Sequence, residues 1–382
     1  MKLTINKSQK MIKAMYSRIL YVAILFPALF FGQTTTQNYV KTTIYKKASS
    51  EGSVNLADPA QAAITITYLD GLGRPVQQIA HKQSGNGKDI ITPIVYDSIG
   101  RQQKEYLPFA SAQSSMAYVD GTSLIADLVS QYTGLYGDSN PYSQKQFEAS
   151  PLNRVLKQAA PGNAWAMGNG HEIQFDYLLN DSNEVNWFRA ETLWNSTDRV
   201  YTASLIEEGY YPNNKLYKTI TKDENWVSGK NNTMEEFKDQ EGHVVLKRTY
   251  NENVAHDTYY VYDEYGNLTY VLPPLATTHL PGELLPPNGG STITQQILDD
   301  LCYQYRYDHL NRLVHKKLPG KQWEFIAYNN QDMPIATGPV FSPFGSSQEG
   351  FLYTAYDIFG RIAYTGWFSR NNGGSRKKKD RR

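Results

Sequence analysis

One short unit recurs along this chain, and a recurring unit constrains a fold more than any single residue does. It reads aromatic, then Asp-x-x-Gly or Asp-x-x-Asn, then usually a basic or amide residue, then an alternating run. The clearest copies are Tyr96-Asp97-Ser98-Ile99-Gly100-Arg101, Tyr262-Asp263-Glu264-Tyr265-Gly266-Asn267, Tyr307-Asp308-His309-Leu310-Asn311-Arg312 and Tyr356-Asp357-Ile358-Phe359-Gly360-Arg361. Two more carry an extra residue after the aromatic: Tyr68-Leu69-Asp70-Gly71-Leu72-Gly73-Arg74 and Phe237-Lys238-Asp239-Gln240-Glu241-Gly242-His243. Phe147 to Arg154 and Tyr328 to Met333 read as degenerate copies.

The chemistry of this unit is that of a hairpin turn. Asp at the first position of a type I turn accepts hydrogen bonds from the turn's backbone. Gly at the fourth position takes a positive φ without steric cost, and Asn311 tolerates the same region. Residues alternate on either side: Ile64, Ile66 and Tyr68 lead into one turn, and Leu313 and His315 follow another. Such alternation predicts strands with one buried face. The tyrosine content, 29 against 14 phenylalanines, suits half-buried sheet faces.

The copies are unevenly spaced, which points to insertions between hairpins rather than a rigid solenoid. The stretch 273–290, with Pro273-Pro274, Pro281, Pro286-Pro287 and Gly289-Gly290, reads as a loop. After it, Ser291 is a candidate cap for a short helix carrying Ile293, Ile297 and Leu301 on one face. A second helix is predicted from Thr122 or Ser123, with Leu124, Ile125, Leu128, Val129 and Tyr132 facing inward and its end near Gly134. Residues 110–235 are the least repetitive.

The first 32 residues carry Lys2, Lys7, Lys10, Lys13 and Arg18 with no acid, and residues 19–31 are apolar. A bilayer span needs roughly 20 apolar residues, so this order predicts a cleaved signal peptide, with Gly32 before the cut and Gln33 after it. No stable membrane span is expected after cleavage. The net charge is only +1 despite this segment and a basic tail, Arg376 to Arg382, so the body between them is acidic. An acidic body makes no nucleic-acid groove, which needs a basic stripe. A single cysteine excludes a disulfide framework and any multi-cysteine metal site.

The Tyr-Asp-x-x-Gly-Arg copies resemble the YD repeats of the Rhs family, secreted or surface bacterial proteins related in repeat to the animal teneurins. Residues 39–110, with Tyr68 to Pro75 and Tyr96 to Pro108, resemble the uncharacterised domain that opens many such bacterial proteins. The resemblance covers most of 39–367, strongly at the six copies and weakly at 110–235. It implies a mainly β fold: irregular YD-repeat β-hairpins forming part of a spiralling β-sheet shell, with a few short helices. In complete family members a core-closing segment and a variable C-terminal domain, often a toxin, follow. Neither has a counterpart here, so the family's self-cleaving aspartates find no matching positions. The implied organisation is a signal peptide (1–32), an N-terminal family domain with the first repeats (33–110), a less regular β-rich insert with a short helix (111–235), a YD-repeat region (236–367) and a disordered basic tail (368–382).

No catalytic or metal-binding motif appears in the sequence. Of the seven histidines, His309 and His315 are too far apart for one helical turn, and both sit at variable positions of a repeat. Cys302 lacks an identifiable histidine partner and reads as a small buried hydrophobe. Glu207-Glu208 and Glu235-Glu236 could suggest glycosidase carboxylates. Adjacent acids point in different directions, however, and that chemistry needs two groups facing across a cleft, so both pairs are expected to be solvated. The repeat aspartates are assigned to turn stabilisation, which explains all six with one cause. No cofactor is expected. The sequence thus predicts an exported, non-enzymatic structural protein that encases or presents a C-terminal effector, its partners being repeat, core and effector segments beyond this chain. The alternative is a cell-surface adhesin that binds glycans through exposed aromatics such as Trp165, Trp187, Trp194, Trp226, Trp323 and Trp367.

Overall fold

The computed structural model describes residues 36–46, 54–56, 58–277, 293–345 and 347–369. The signal segment, Ser291 with most of the Pro/Gly-rich insertion, and the basic tail lie outside the described residues. The protein is mainly β, built of antiparallel sheets with few helices. It divides into two compact units, one up to Gln174 and one from Phe175. Among the described residues no helix is long and apolar enough to cross a membrane.

The first unit contains β1 (Asn38–Tyr45), β2 (Ala62–Leu69), β3 (Pro75–Ala80), β4 (Ile90–Pro93), β5 (Lys104–Tyr106), β6 (Phe109–Ala110), α1 (Gly121–Tyr136), β7 (Tyr142–Phe147) and β8 (Val155–Ala159). Its five-stranded sheet has the order β1-β2-β3-β4-β6. β5 pairs with β7 and β7 with β8, and β8 pairs with the first residues of β9 (Ile173–Leu179). The alternation in β2 decides what lies inside: Ala62, Ile64, Ile66 and Tyr68 are buried while the residues between them are half-buried. Ile79, Ile91 and Phe109 share that face, and Leu124 and Leu128 of α1 cover it.

Helix α1 is longer than its apolar pattern predicts, because its caps lie outside that pattern. Asp120 accepts from the Thr122 N–H and starts the helix at Gly121. Gly137, at φ 68°, ends it by donating its N–H to the Thr133 carbonyl. Gly134 is an ordinary helical residue rather than the stop.

The second unit opens within β9 and continues with β10 (Asn186–Asn195), β11 (Val200–Tyr210), β12 (Tyr217–Lys222), β13 (Thr233–Lys238), β14 (Val244–Asn251), β15 (Val254–Tyr262) and β16 (Leu268–Leu272). Two helical segments follow, α2 (Pro274–Thr277) and α3 (Gln295–Leu301). Six strands complete it: β17 (Tyr303–Tyr307), β18 (Leu313–Lys317), β19 (Glu324–Tyr328), β20 (Pro334–Phe341), β21 (Glu349–Tyr356) and β22 (Ile362–Ser369). From β12 to β22 each strand neighbours the next in sequence, so the sheet is one antiparallel meander. β10 and β11 form a separate ribbon. Its Phe188 meets Tyr259 of β15 edge to face at 5.0 Å, in a core shared with Leu246, Leu272, Leu298 and Cys302.

Helix α3 is capped by Thr294, whose hydroxyl accepts from the Ile297 N–H. Thr294 stands three residues before the bonded N–H, the reach that a capping hydroxyl needs.

Replacing Leu128 by Ala should cost about 2–5 kcal/mol, the usual range for a buried leucine. Asp120→Ala should cost about 1 kcal/mol through the lost cap. Leu135→Ala, on the exposed face of α1, should stay within about 0.5 kcal/mol. Chemical denaturation of the three variants gives this order; equal losses would refute the packing of α1 on β2.

Candidate functional site: a ladder of repeat turns

Every clear copy of the repeat folds into the same three-residue hairpin loop with a bulge. In the Asp97 copy, Oδ1 accepts from the backbone N–H of Ile99 at 3.0 Å and of Arg101 at 2.8 Å. The Gly100 N–H donates to the Asp97 carbonyl at 3.0 Å, and Gly100 has φ 85°. Arg101 Nε then donates to Asp97 Oδ2 at 2.8 Å. Asp70, Asp239, Asp263, Asp308 and Asp357 each accept from the same two backbone positions. Arg74, Arg312 and Arg361 repeat the Nε bond to their own aspartate, His243 replaces it with Nδ1, and Asn267 with its amide. Gly73, Gly242, Gly266, Gly360 and Asn311 all have positive φ. In the Asp70, Asp239, Asp263, Asp308 and Asp357 copies the strand register shifts at this point, a type I turn closed by a left-handed bulge residue.

The degenerate copies keep the backbone and change the side chains. Asn329 replaces Asp and accepts from Gln331 and Met333 N–H, while Asp332 takes the positive φ. Glu148 closes a larger loop, binding the Arg154 guanidinium at 2.8–3.0 Å with Asn153 left-handed.

The aromatic does not belong to its own turn; it completes the previous one. Arg74 lies 4.4 Å over the Tyr96 ring, and the Tyr96 hydroxyl donates to the Pro75 carbonyl. Arg312 lies 4.9 Å over Tyr328, whose hydroxyl donates to the Leu313 carbonyl. Tyr307 bonds the Leu268 carbonyl and Tyr356 that of Pro334. Arg101 covers Phe147, and His243 stacks on Tyr262. Arg74, Arg101, His243 and Arg312 therefore sit on the ring that follows, and the hydroxyls of Tyr96, Tyr307, Tyr328 and Tyr356 bond the residue just after the closing residue of the preceding turn.

Tyr68 and Phe237 depart from this pattern. The extra residue in those copies moves the aromatic to the other sheet face, since side chains alternate with a period of two. Both rings are fully buried in their unit's core, and the Tyr68 hydroxyl donates to the Met116 carbonyl.

The carboxyls of Asp70, Asp97, Glu148, Asp308 and Asp357 are held below their usual range. For Asp70, Asp97 and Asp357 the leading cause is the backbone N–H of the closing arginine. Burial pushes Asp308 up, but its bonds to Arg312 outweigh it. The Arg154 side chain lowers Glu148 from 4.5 to about 2.

The paired glutamates correct the sequence expectation. Glu235 and Glu236 do face opposite ways, but Glu235 is fully buried rather than solvated. Its Oε1 accepts from Lys230 Nζ at 2.6 Å, and its Oε2 lies 3.3 Å from Lys218 Nζ. Lys218 also binds Glu184, and Arg248 clasps Asp257 with two bonds of 2.7 Å. Burial pushes the Glu235 carboxyl up, while Lys230 and Lys218 bring it below the usual range. Glu207 is buried too, whereas Glu208 pairs with Arg189 at the surface. The missing signal was tertiary: basic residues from neighbouring strands converge on a position that reads as polar. Cys302 is fully buried, and burial pushes its thiol up to about 12. His309 meets Trp194 and His315 meets Phe325, so these two histidines share no site. Trp165 and Trp194 are partly exposed, and Trp323 borders a cleft of about 610 Å³ with one ring face covered by Arg306 at 4.1 Å.

A family described as a domain of unknown function, DUF6443, matches residues 41–179. No curated protein matches the sequence. Among solved structures, the chain is similar to the crystal structure of TcdB2-TccC3-TEV, with TM-score 0.45, 13% identity, and coverage of 81% of this chain and 13% of that one. For TcdB2-TccC3 without its hypervariable C-terminal region the values are 0.45, 13%, 83% and 13%. For the Tc holotoxin pore of Photorhabdus luminescens they are 0.44, 14%, 82% and 13%. The chain thus spans 13% of the length of each of these structures.

The turn geometry separates two glycines that look alike in sequence. A Cβ at Gly73 meets nothing within 4 Å, so Gly73→Ala should cost only the left-handed strain, about 1–2 kcal/mol. A Cβ at Gly100 would stand 2.8 Å from Arg74 Nη1 and displace the guanidinium from Tyr96. Gly100→Ala should therefore cost more, and the excess should vanish in an Arg74→Ala background. An unchanged excess there would refute the coupling between successive turns.

The depressed carboxylates also fix a pH dependence. A folded-state pKa below the unfolded one stabilises above the unfolded value and loses that stability as pH falls through the folded value. Urea midpoints should therefore drop from the usual carboxylate range, 3.8 to 4.5, toward pH 2. Glu148→Gln should flatten the lower part of that curve. A midpoint independent of pH in this window would contradict the turn pairings.

Proposed function

We propose that this chain is an exported, non-enzymatic structural repeat protein, the N-terminal part of an Rhs/YD-repeat shell that encases or presents a C-terminal effector. The observation that carries the reading is the ladder. The aspartate of each clear copy is engaged by its own turn, and Arg74, Arg101, His243 and Arg312 pack on the ring of the copy that follows. Side chains used in this way build a sheet and leave no repeated group poised for a reaction.

Export rests on the basic-then-apolar order of residues 1–32. The partner segments follow from the last turn. Arg101 and Arg312, which have a following aromatic, are 20% and 25% exposed, whereas Arg361 is 75% exposed and turns back over its own Phe359 at 5.3 Å. A further repeat strand that lays an aromatic over Arg361 and pairs with β22 is the partner this edge fits, with core and effector segments beyond it.

Thermal melts of Asp97→Ala, Asp263→Ala and Asp357→Ala, run beside a calcium titration, test the structural assignment. Each variant should melt lower than the parent, with no calcium-dependent difference. One variant that loses a specific activity while its melting point is unchanged would overturn it. Capture of the exported protein from its host, followed by mass spectrometry, tests the partner: repeat and effector segments should be recovered with it, and its N-terminus should be Gln33. Recovery with glycans that is lost on replacing Trp165 and Trp194 would favour the adhesin instead, and an intact Met1 would remove export.

A further inference from the structure

Among the described residues, one group of histidine and carboxylate side chains brings its donor atoms within 4.8 Å of one another: Asp239, Glu241 and His243, in the turn between β13 and β14. Asp239 Oδ1 is taken by the backbone N–H groups of Glu241 and His243, at 2.9 Å each. Its Oδ2 lies 3.1 Å from His243 Nδ1, and Glu241 Oε2 lies 3.6 Å from the same nitrogen.

The imidazole is oriented by contacts that do not involve the carboxylates. Its ring stacks on Tyr262 with centroids 4.5 Å apart and planes 23° from parallel. Its Nε2 edge passes over Gly266, where a Cβ would lie 3.5 Å from both Cε1 and Nε2. Nδ1 is thereby turned toward the two acids. A first-row ion binds imidazole nitrogen and carboxylate oxygen at about 2.0–2.2 Å. Neighbouring ligand atoms around such an ion stand about 3.0–3.5 Å apart in tetrahedral or octahedral geometry. The two separations from Nδ1 are close to that spacing and all three donors lie within 4.8 Å of one another, so side-chain rotations that close the carboxylates on each other would complete a three-ligand site.

No other clear copy carries the set. Arg74, Arg101, Arg312 and Arg361 or Asn267 stand where His243 does, and Leu72, Ile99, Leu310, Phe359 or Tyr265 where Glu241 does. In the arginine copies the aspartate's countercharge is a fixed guanidinium. Here a second acid is added and the guanidinium is replaced by a ligand nitrogen.

We propose that the Asp239–His243 turn is a binding site for a divalent first-row transition ion, of which Zn2+ is the type. The ligands are Asp239 Oδ2, the Glu241 carboxylate and His243 Nδ1, with water completing the shell. Nδ1 releases its proton to solvent as the bond to the ion forms. The imidazole sets this site apart from calcium and magnesium sites, which are built of oxygen ligands. The ion would join the turn to the next copy through the Tyr262 stack.

Isothermal titration of the tag-free protein with Zn2+ tests the proposal. The informative variant is His243→Arg, because it installs the residue that four other copies use and keeps the turn closed. It should lose one equivalent of Zn2+ relative to the parent. Glu241→Gln, at a mostly exposed side chain, should weaken the same equivalent at least tenfold. Zn2+ should raise the melting temperature of the parent and not of His243→Arg, and equimolar Ca2+ or Mg2+ should not displace it. Unchanged stoichiometry in His243→Arg would overturn the proposal. So would full affinity in Glu241→Gln, which would mean a lone imidazole, or displacement by Ca2+.

Discussion

The contact between a closing side chain and the next copy's ring is the interaction on which the rest of this structure depends. A type I turn with a bulge is a local object and sets only the register of its own hairpin. Laying Arg74 on Tyr96, Arg101 on Phe147 and Arg312 on Tyr328 converts separate hairpins into a sequence of coupled ones. The hydroxyl bonds from Tyr96, Tyr307, Tyr328 and Tyr356 repeat the coupling at the backbone. Both contacts need the aromatic directly before the aspartate, which fixes the spacing within the unit while leaving the spacing between units free. Long insertions between copies are therefore compatible with a regular ladder.

The turns also show where much of the sheet's charge is paired. The repeat aspartates neutralise their own arginines within five residues, at the margin of the sheet. The costlier case is Glu235, buried on the sheet face, where three cations from β12, the β12–β13 connection and β14 surround it. A buried carboxylate is tolerated only with such compensation. Glu184 and Asp257 complete the set, so three acids meet three bases. Phe237 lies beside this network, with Lys218 and Arg248 over its ring at 5.1 and 5.8 Å.

One copy of the ladder differs in kind. His243 keeps the ring contact through Tyr262 but exchanges a permanent charge for a nitrogen that can accept a proton or an ion. Repetition supplies the backbone for such a change at no structural cost, because Asp239 and Gly242 hold the turn whatever closes it. The proposed ion site is thus a local variation on a structural unit.

The sequence by itself determined the local structure. Asp, Gly or Asn, and alternation between them specify turn and strand within about ten residues, and that information is contained in the residues that form the turn. The mainly β architecture, the helix near Leu124–Tyr132 and the burial of Cys302 were legible for this reason. What only the tertiary structure decided depended on residues far apart in the chain. The caps Asp120 and Thr294 lay outside the apolar stripes that marked their helices. The burial of Glu235 was set by Lys218 and Arg248 on the flanking strands, and the role of the repeat aromatic by the turn that precedes it. Tyr68 and Tyr96 read as the same residue in the motif, yet one extra residue sends the first into the core and leaves the second on the ladder, because side chains of a strand alternate between its two faces.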